Sequence, residues 1–281
     1  MGKIILSAFA DEYSASFDEQ LVGMSGYGID HIEVRGVDGR NVSLLTRDEV
    51  KEIGKKADAM GIKVSAVGSP VGKINLDGDL DGHLEMAKRV FESANLLGTK
   101  YVRMFSFYAP EGKEITDYRS EVFYELERLV LAAKAQGVVL CHENEAKIYG
   151  SVPERCREIV DCFGGEIRTV FDMGNYVLEG VNPYEAYKLL RDTVAYFHIK
   201  DSLYAGAIVP PGRGEADIQR IVREHAATSR EDFVISLEPH LQLFSGLNSL
   251  VGRKFENPYK FNDEKEAFTE AVTRIKELLT V

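Results

Sequence analysis

The chain has 281 residues, 44% of them hydrophobic and 28% charged, and its 45 acidic against 34 basic side chains give a formal net charge of −11. That length supports one large core and lies near the roughly 250 residues of an α/β barrel. The acidic balance argues against non-specific binding to nucleic acid or anionic membranes, and no apolar run approaches the roughly 18 residues a membrane helix needs.

Apolar, strand-like runs alternate with amphipathic segments along the chain. Residues 3–8 read as a first strand. Phe17, Leu21, Met24 and Tyr27 then recur at helical spacing until Gly28 stops them. A strand at 30–34 precedes a helix at 47–60, where Thr46 and Glu49 have the spacing of a capping box. Strand 62–67 and helix 84–97 follow, then strand 100–105 and a long helix 118–135. Strand 138–142 leads to helix 153–162, whose Pro153 sits in the first turn. Strand 167–171, helix 183–190, strand 194–199, helix 217–226, strand 233–237 and helix 264–279 complete the series. Eight strands alternating with helices predict a parallel sheet. The expected fold class is therefore α/β, a single (β/α)8 TIM barrel forming one domain over residues 1–281. A doubly wound open sheet is the alternative. Loops 108–116, 204–214 and 241–259 are expected to cover the mouth, the last by its length. Cys141, Cys156 and Cys162 are odd in number and lack metal-type spacing, so they read as incidental thiols of a reducing compartment. The opening Met-Gly-Lys runs straight into a strand rather than a signal peptide, and a cytoplasmic location is expected.

Four strands in the second half each end in a metal-ligating residue type: Glu143, Asp172, His198 and Glu238. The C-terminal ends of barrel strands are where such folds build active sites. Two Glu, one Asp and one His make an oxygen/nitrogen set suited to one divalent cation, Mn²⁺ or Mg²⁺ first, with Zn, Co or Fe as alternatives. Without a cation, or shared protons, converging carboxylates would repel each other. Strand alternation puts Val139 and Cys141 on the inward face with Glu143 and turns His142 outward. Tyr196 and Lys200 share the face of His198, Ser236 and His240 that of Glu238, and Glu33 pairs with Arg35. For strand four either Arg103, with Tyr101 and Phe105, or Met104, with Ser106, faces inward. A divalent ion can chelate two oxygens of a hydroxy-ketone and make the adjacent C–H acidic. Glu143 and Glu238, on strands across the barrel from one another, can then move a proton as base and acid.

The segments His142-Glu143-Asn144-Glu145, Phe171-Asp172-Met173-Gly174-Asn175, His198-Ile199-Lys200-Asp201, Gly212-Arg213-Gly214-Glu215-Ala216-Asp217 and Ser236-Leu237-Glu238-Pro239-His240 resemble the xylose-isomerase-like TIM barrels, the sugar phosphate isomerase/epimerase superfamily. Ile32-Glu33-Val34-Arg35-Gly36 and Val67-Gly68-Ser69-Pro70 resemble the same group. The resemblance implies that Glu143, Asp172, His198 and Glu238 hold one divalent ion and that Glu143 and Glu238 double as proton carriers, as in the ketose 3-epimerase branch. That branch usually has a histidine three residues after the strand-six aspartate, where this chain has Asn175. Glu33, Arg35, Arg103, Asn175, Lys200, Asp201 and His240 are expected to contact a small carbohydrate substrate. The expected function is a metal-dependent isomerase or epimerase of a sugar, sugar phosphate or polyol ketone, working through an enediolate. A dehydratase of the inosose type and a non-catalytic polyol-binding protein are the alternatives. The superfamily also contains DNA-repair endonucleases, but six histidines in all and a charge of −11 argue against one. Monomer and homodimer are both compatible with the composition.

Overall fold

A computed structural model describes residues 2–242 and 258–279. Eight strands form one sheet: β1 (Ile4–Ala8), β2 (His31–Val34), β3 (Lys63–Val67), β4 (Tyr101–Met104), β5 (Val139–Glu143), β6 (Ile167–Asp172), β7 (Val194–Ile199) and β8 (Phe233–Leu237). Each strand from β2 to β8 pairs in parallel with its neighbour in sequence, and β8 pairs in parallel with β1. The sheet thus curls into a nearly closed (β/α)8 barrel rather than an open doubly wound sheet. At the seam between β1 and β2 a side chain of β3 bridges both strands: Ser65 Oγ lies 2.8 Å from Ser7 Oγ and donates to Ile32 O at 3.0 Å.

The helices are α1 (Phe17–Gly26), α2 (Arg47–Ala59), α3 (Leu80–Leu96), α4 (Arg119–Ala135), α5 (Pro153–Cys162), α6 (Met173–Leu178), α7 (Pro183–Leu190), α8 (Ile218–Thr228) and α9 (Glu264–Leu279). Their starts follow local chemistry. Thr46 Oγ1 accepts the Glu49 N–H while the Glu49 carboxylate accepts the Thr46 N–H, the reciprocal capping box legible in the sequence. Thr46→Ala is expected to lower unfolding free energy by about 1 kcal/mol, read by thermal denaturation at neutral pH. Helix α3 begins a turn before its apolar periodicity because Asp79 caps it through the Gly82 N–H. Helix α6 escapes a periodicity reading altogether. It has six residues and starts on Asp172, whose side chain accepts the Asn175 N–H.

Apolar side chains between sheet and helices form the main core, with Phe91, Phe171, Tyr176, Tyr187, Phe197 and Phe268 fully buried. Inside the barrel, Ala66, Cys141, Val170 and Tyr196 pack with Tyr101, Val139 and Val234. This plug fills the barrel below the strand ends, so a ligand can enter only above it. Cys141 and Cys156 are buried and Cys162 exposed, all as free thiols. No described helix is long and apolar enough to cross a membrane. Most of the expected covering loop 241–259 lies outside the described residues. Loop 204–214 contributes Ile208–Val209 to a small antiparallel ribbon with Asp201–Ser202.

Candidate metal centre

The parallel register brings the four strand ends to one level. Asp172 on β6 is the pairing partner of His198 on β7, and Ser236 of β8 pairs with His198 two residues before Glu238. Glu143, Asp172, His198 and Glu238 are all buried, and each offers one ligand atom within 4.8 Å of the others. These buried groups can hold a metal ion.

His198 is oriented from behind. Its Nε2 lies 3.0 Å from Glu33 Oε2, and the other Glu33 oxygen accepts the Tyr196 hydroxyl at 2.9 Å. That bond places a proton on Nε2 and leaves Nδ1 facing the cluster, 3.2 Å from Glu143 Oε1 and 3.4 Å from Glu238 Oε2. Neither His198 Nδ1 nor Glu143 Oε2 has a hydrogen-bond partner although both are buried. Unpartnered buried polar atoms are costly. Here a histidine nitrogen and a carboxylate oxygen, both good ligands for a divalent cation, lie in one place with charged neighbours but no hydrogen bond. The donor set and its orphaned atoms fit a metal.

Three cations balance the carboxylates. Lys200 Nζ donates to Asp172 Oδ2 (2.8 Å), Glu238 Oε2 (3.1 Å) and Asn175 Oδ1 (3.2 Å). Arg103 reaches Glu143 Oε2 at 3.2 Å and Glu238 Oε1 at 3.6 Å, which fixes strand β4 with Arg103 inward. Arg35 donates to Glu238 Oε1 at 2.8 Å, to Glu12 at 3.2 Å and to both oxygens of Asp11 at 2.8 and 3.0 Å. The two guanidinium groups lie 4.3 and 5.1 Å from the ring centre of Phe9. Gly174 lets α6 lie against Lys200: a Cβ there would come within 2.8 Å of the lysine's Cγ and carbonyl oxygen.

These contacts set the charges. Burial pushes Glu143 up, but His198 and Arg103 outweigh it and hold the carboxyl down at about 2. Glu238 is likewise held well below the usual range, with Lys200 and the two histidines overcoming burial. Asp172 goes the other way, up to about 6, because burial together with Glu143 and Glu238 outweighs Lys200. His198 is raised against its burial by Glu33 and Glu143.

Six of the seven expected substrate contacts, Glu33, Arg35, Arg103, Asn175, Lys200 and His240, belong to this connected network. Several already have protein partners. Both oxygens of Glu33 are engaged as described, and Asn175 Nδ2 donates to Asn144 O at 2.8 Å and Glu143 Oε1 at 3.3 Å. His240, at a left-handed φ of 49°, has its Nδ1 2.7 Å from Glu12 Oε1 and its Nε2 3.7 Å from Glu238. Asp201 is used differently. Its carboxylate accepts the backbone N–H groups of Ser202, Gly212, Gly214 and Ala216 at 2.8–3.1 Å. The Gly212–Gly214 turn is wrapped on Asp201. A Cβ on Gly214 would sit 2.2 Å from Asp201 Oδ1. His142 faces away from the mouth and pairs with Ser106 Oγ at 2.9 Å.

The sequence reading missed Asp11, Glu12 and Asn144. Asp11 and Glu12 follow β1 as Glu143 ends β5, so the strand-end rule would have found them had it been applied to the first strand. Asn144 exchanges two hydrogen bonds with the Asp172 backbone, at 2.9 and 3.0 Å, and nothing in its sequence position signals that.

A family model described as "Xylose isomerase-like TIM barrel" matches residues 24–278. No curated protein matches the chain. Among solved structures, L-ribulose 3-epimerase superposes with a TM-score of 0.74 at 19% identity, covering 100% of this chain and 95% of that one. The probable 3-DHS dehydratase AsbF of Bacillus anthracis superposes at 0.72 with 16% identity, covering 100% and 99%. The IOLI protein with a bound zinc atom superposes at 0.71 with 20% identity, covering 100% and 98%. At these identities the likeness is one of fold.

Proposed function

The chain belongs to the xylose isomerase-like TIM barrel family, and from that premise we propose that it is a metal-dependent isomerase or epimerase of a keto-sugar, sugar phosphate or related polyol ketone. The observation that carries this is the buried quartet of ligand atoms whose two glutamates converge on the open His198 Nδ1. Glu143, Asp172, His198 and Glu238 hold one divalent ion, Mn²⁺ or Mg²⁺ by its oxygen-rich donors. When bound, that ion supplies Lewis acidity to a substrate carbonyl and the neighbouring hydroxyl.

The chain's own residues do the rest. Glu143 and Glu238 are both held ionised, and one takes the proton from the carbon beside the carbonyl, giving an enediolate. In isomerisation the carboxyl so formed returns the proton to the adjacent carbon, while in epimerisation the opposite glutamate first takes up a solvent proton and then donates it. Glu33 positions His198, and Asn175 and Lys200 brace Asp172. Arg103 holds Glu143 and Glu238 from the β4 side. Asp201 shapes the adjoining loop. The fold supports several chemistries, and a dehydratase begins with the same proton abstraction. The structural neighbour with that name, AsbF, gives the second reading its support.

Deuterium incorporation from D₂O into a panel of keto-sugars tests the proposal. Exchange at a carbon next to a carbonyl supports it, loss of water from the same substrate favours the dehydratase, and no exchange on any ketone contradicts it.

Metal binding is also expected to depend on pH with a defined sign. Asp172 must ionise to act as a ligand, and its carboxyl sits at about 6 without metal. Affinity is therefore expected to fall steeply as pH drops below 6 and, because the raised His198 must also lose a proton to ligate, to keep rising above 6, measured by titration with Mn²⁺. The same raised value works against the metal-free fold: the Asp172 proton stabilises it at pH below about 4, and that stability is lost as pH rises through 6.

A further inference from the structure

Resting on that functional reading, we infer that the substrate is an uncharged keto-sugar or polyol, and that a phosphate ester or carboxylic acid is a poor ligand. The three cations of the cluster already face carboxylates. Arg35 is shared by Asp11, Glu12 and Glu238, Arg103 by Glu143 and Glu238, and Lys200 by Asp172 and Glu238. Counting Glu33, bonded to His198, six carboxylates surround these three cations. Five of the six are fully buried and Asp11 nearly so. With a divalent ion such a network carries a net charge of −1 when both histidines are neutral, and is neutral when His240 is protonated against Glu12. In neither case do these described residues hold a surplus of positive charge for an anion.

The next cation along the rim fits the same pattern. Lys73 is 3.1 Å from Glu145 Oε2 and lies over the Phe105 ring. A phosphate dianion would enter a desolvated space beside Glu143 and Glu238, where like-charge repulsion is weakly screened. A hydroxyl or carbonyl instead needs no countercharge. The overall charge of −11 adds a long-range bias against anions.

The test uses the metal-loaded protein and two independent readouts. The first is deuterium exchange on D-fructose against D-fructose 6-phosphate, and on L-ribulose against its 5-phosphate. The second is the melting temperature in sodium sulfate against sodium chloride at equal ionic strength. The expected results are a kcat/KM for exchange at least about tenfold higher for a neutral ketose than for its ester, and no specific stabilisation by sulfate. Glu12→Gln, or Asp11→Asn if the first variant fails to fold, releases Arg35 from one carboxylate, and sulfate is expected to stabilise that variant. Faster exchange on the esters, or saturable stabilisation of the native chain at millimolar sulfate, would overturn the inference. If no ketone exchanges, the isomerase proposal fails, while the sulfate comparison still decides the charge of the site.

Discussion

Glu238→Gln is expected to reduce deuterium exchange and turnover by about 10²–10⁴-fold at saturating metal, the range over which a positioned acid or base contributes. No other side chain in the site has as many charged neighbours. Arg35 and Lys200 donate to it, and His198, Arg103 and His240 stand within 3.4–3.7 Å. Glutamine keeps the shape but loses the charge, so it can neither take a proton from carbon nor offset these cations. Removing one partner of a buried ion pair costs about 3–5 kcal/mol, so the melting temperature should fall as well. Metal affinity should also fall, and measuring exchange at saturating metal separates lost proton transfer from lost binding. Wild-type exchange rates in the variant would remove Glu238 from the chemistry.

The second large effect is expected at a residue that touches neither metal nor substrate. Glu33→Gln should weaken metal binding about 10–100-fold, as loss of an outer partner of a ligating histidine commonly does. Glutamate can only accept from His198 Nε2, so the neutral imidazole presents its free nitrogen, Nδ1, to a cation. Glutamine can offer its NH₂ group there instead, and the imidazole proton then moves to Nδ1, the atom that faces Glu143 and Glu238. Tyr196→Phe removes one hydrogen bond to Glu33 without changing the tautomer, so its effect should be smaller. Titration with Mn²⁺ measures both variants without a substrate. Equal affinity in Glu33→Gln and the native chain would show that Glu33 does not set the ligand nitrogen.

Much of this arrangement was legible in the sequence because barrel strands obey simple periodicities. A period of two along Val139–Glu143 puts Cys141 and Glu143 inward and His142 outward, and the structure agrees. The quartet at four successive strand ends follows from the same rule. Partner choice was not legible. Nothing local in Ile32-Glu33-Val34-Arg35 says that Glu33 faces His198, 165 positions away, while Arg35 faces Asp11, Glu12 and Glu238. Asp201 looked like a mouth residue because it follows His198 and Lys200, yet its carboxylate is taken up by the backbone of the following loop. Helix α6 was missed because six residues are too few for a periodicity, and its start depends on Asp172 acting as a cap.

The central claim is that Glu143, Asp172, His198 and Glu238 form one metal site. Metal content of the native chain against Asp172→Asn and His198→Gln, after dialysis with Mn²⁺ at pH above 6, tests it most directly. One bound ion per native chain, lost in both variants while their folds persist by circular dichroism, is the predicted result. No bound divalent ion in the native chain would mean that Arg35, Arg103 and Lys200 alone balance these carboxylates, and it would contradict the account.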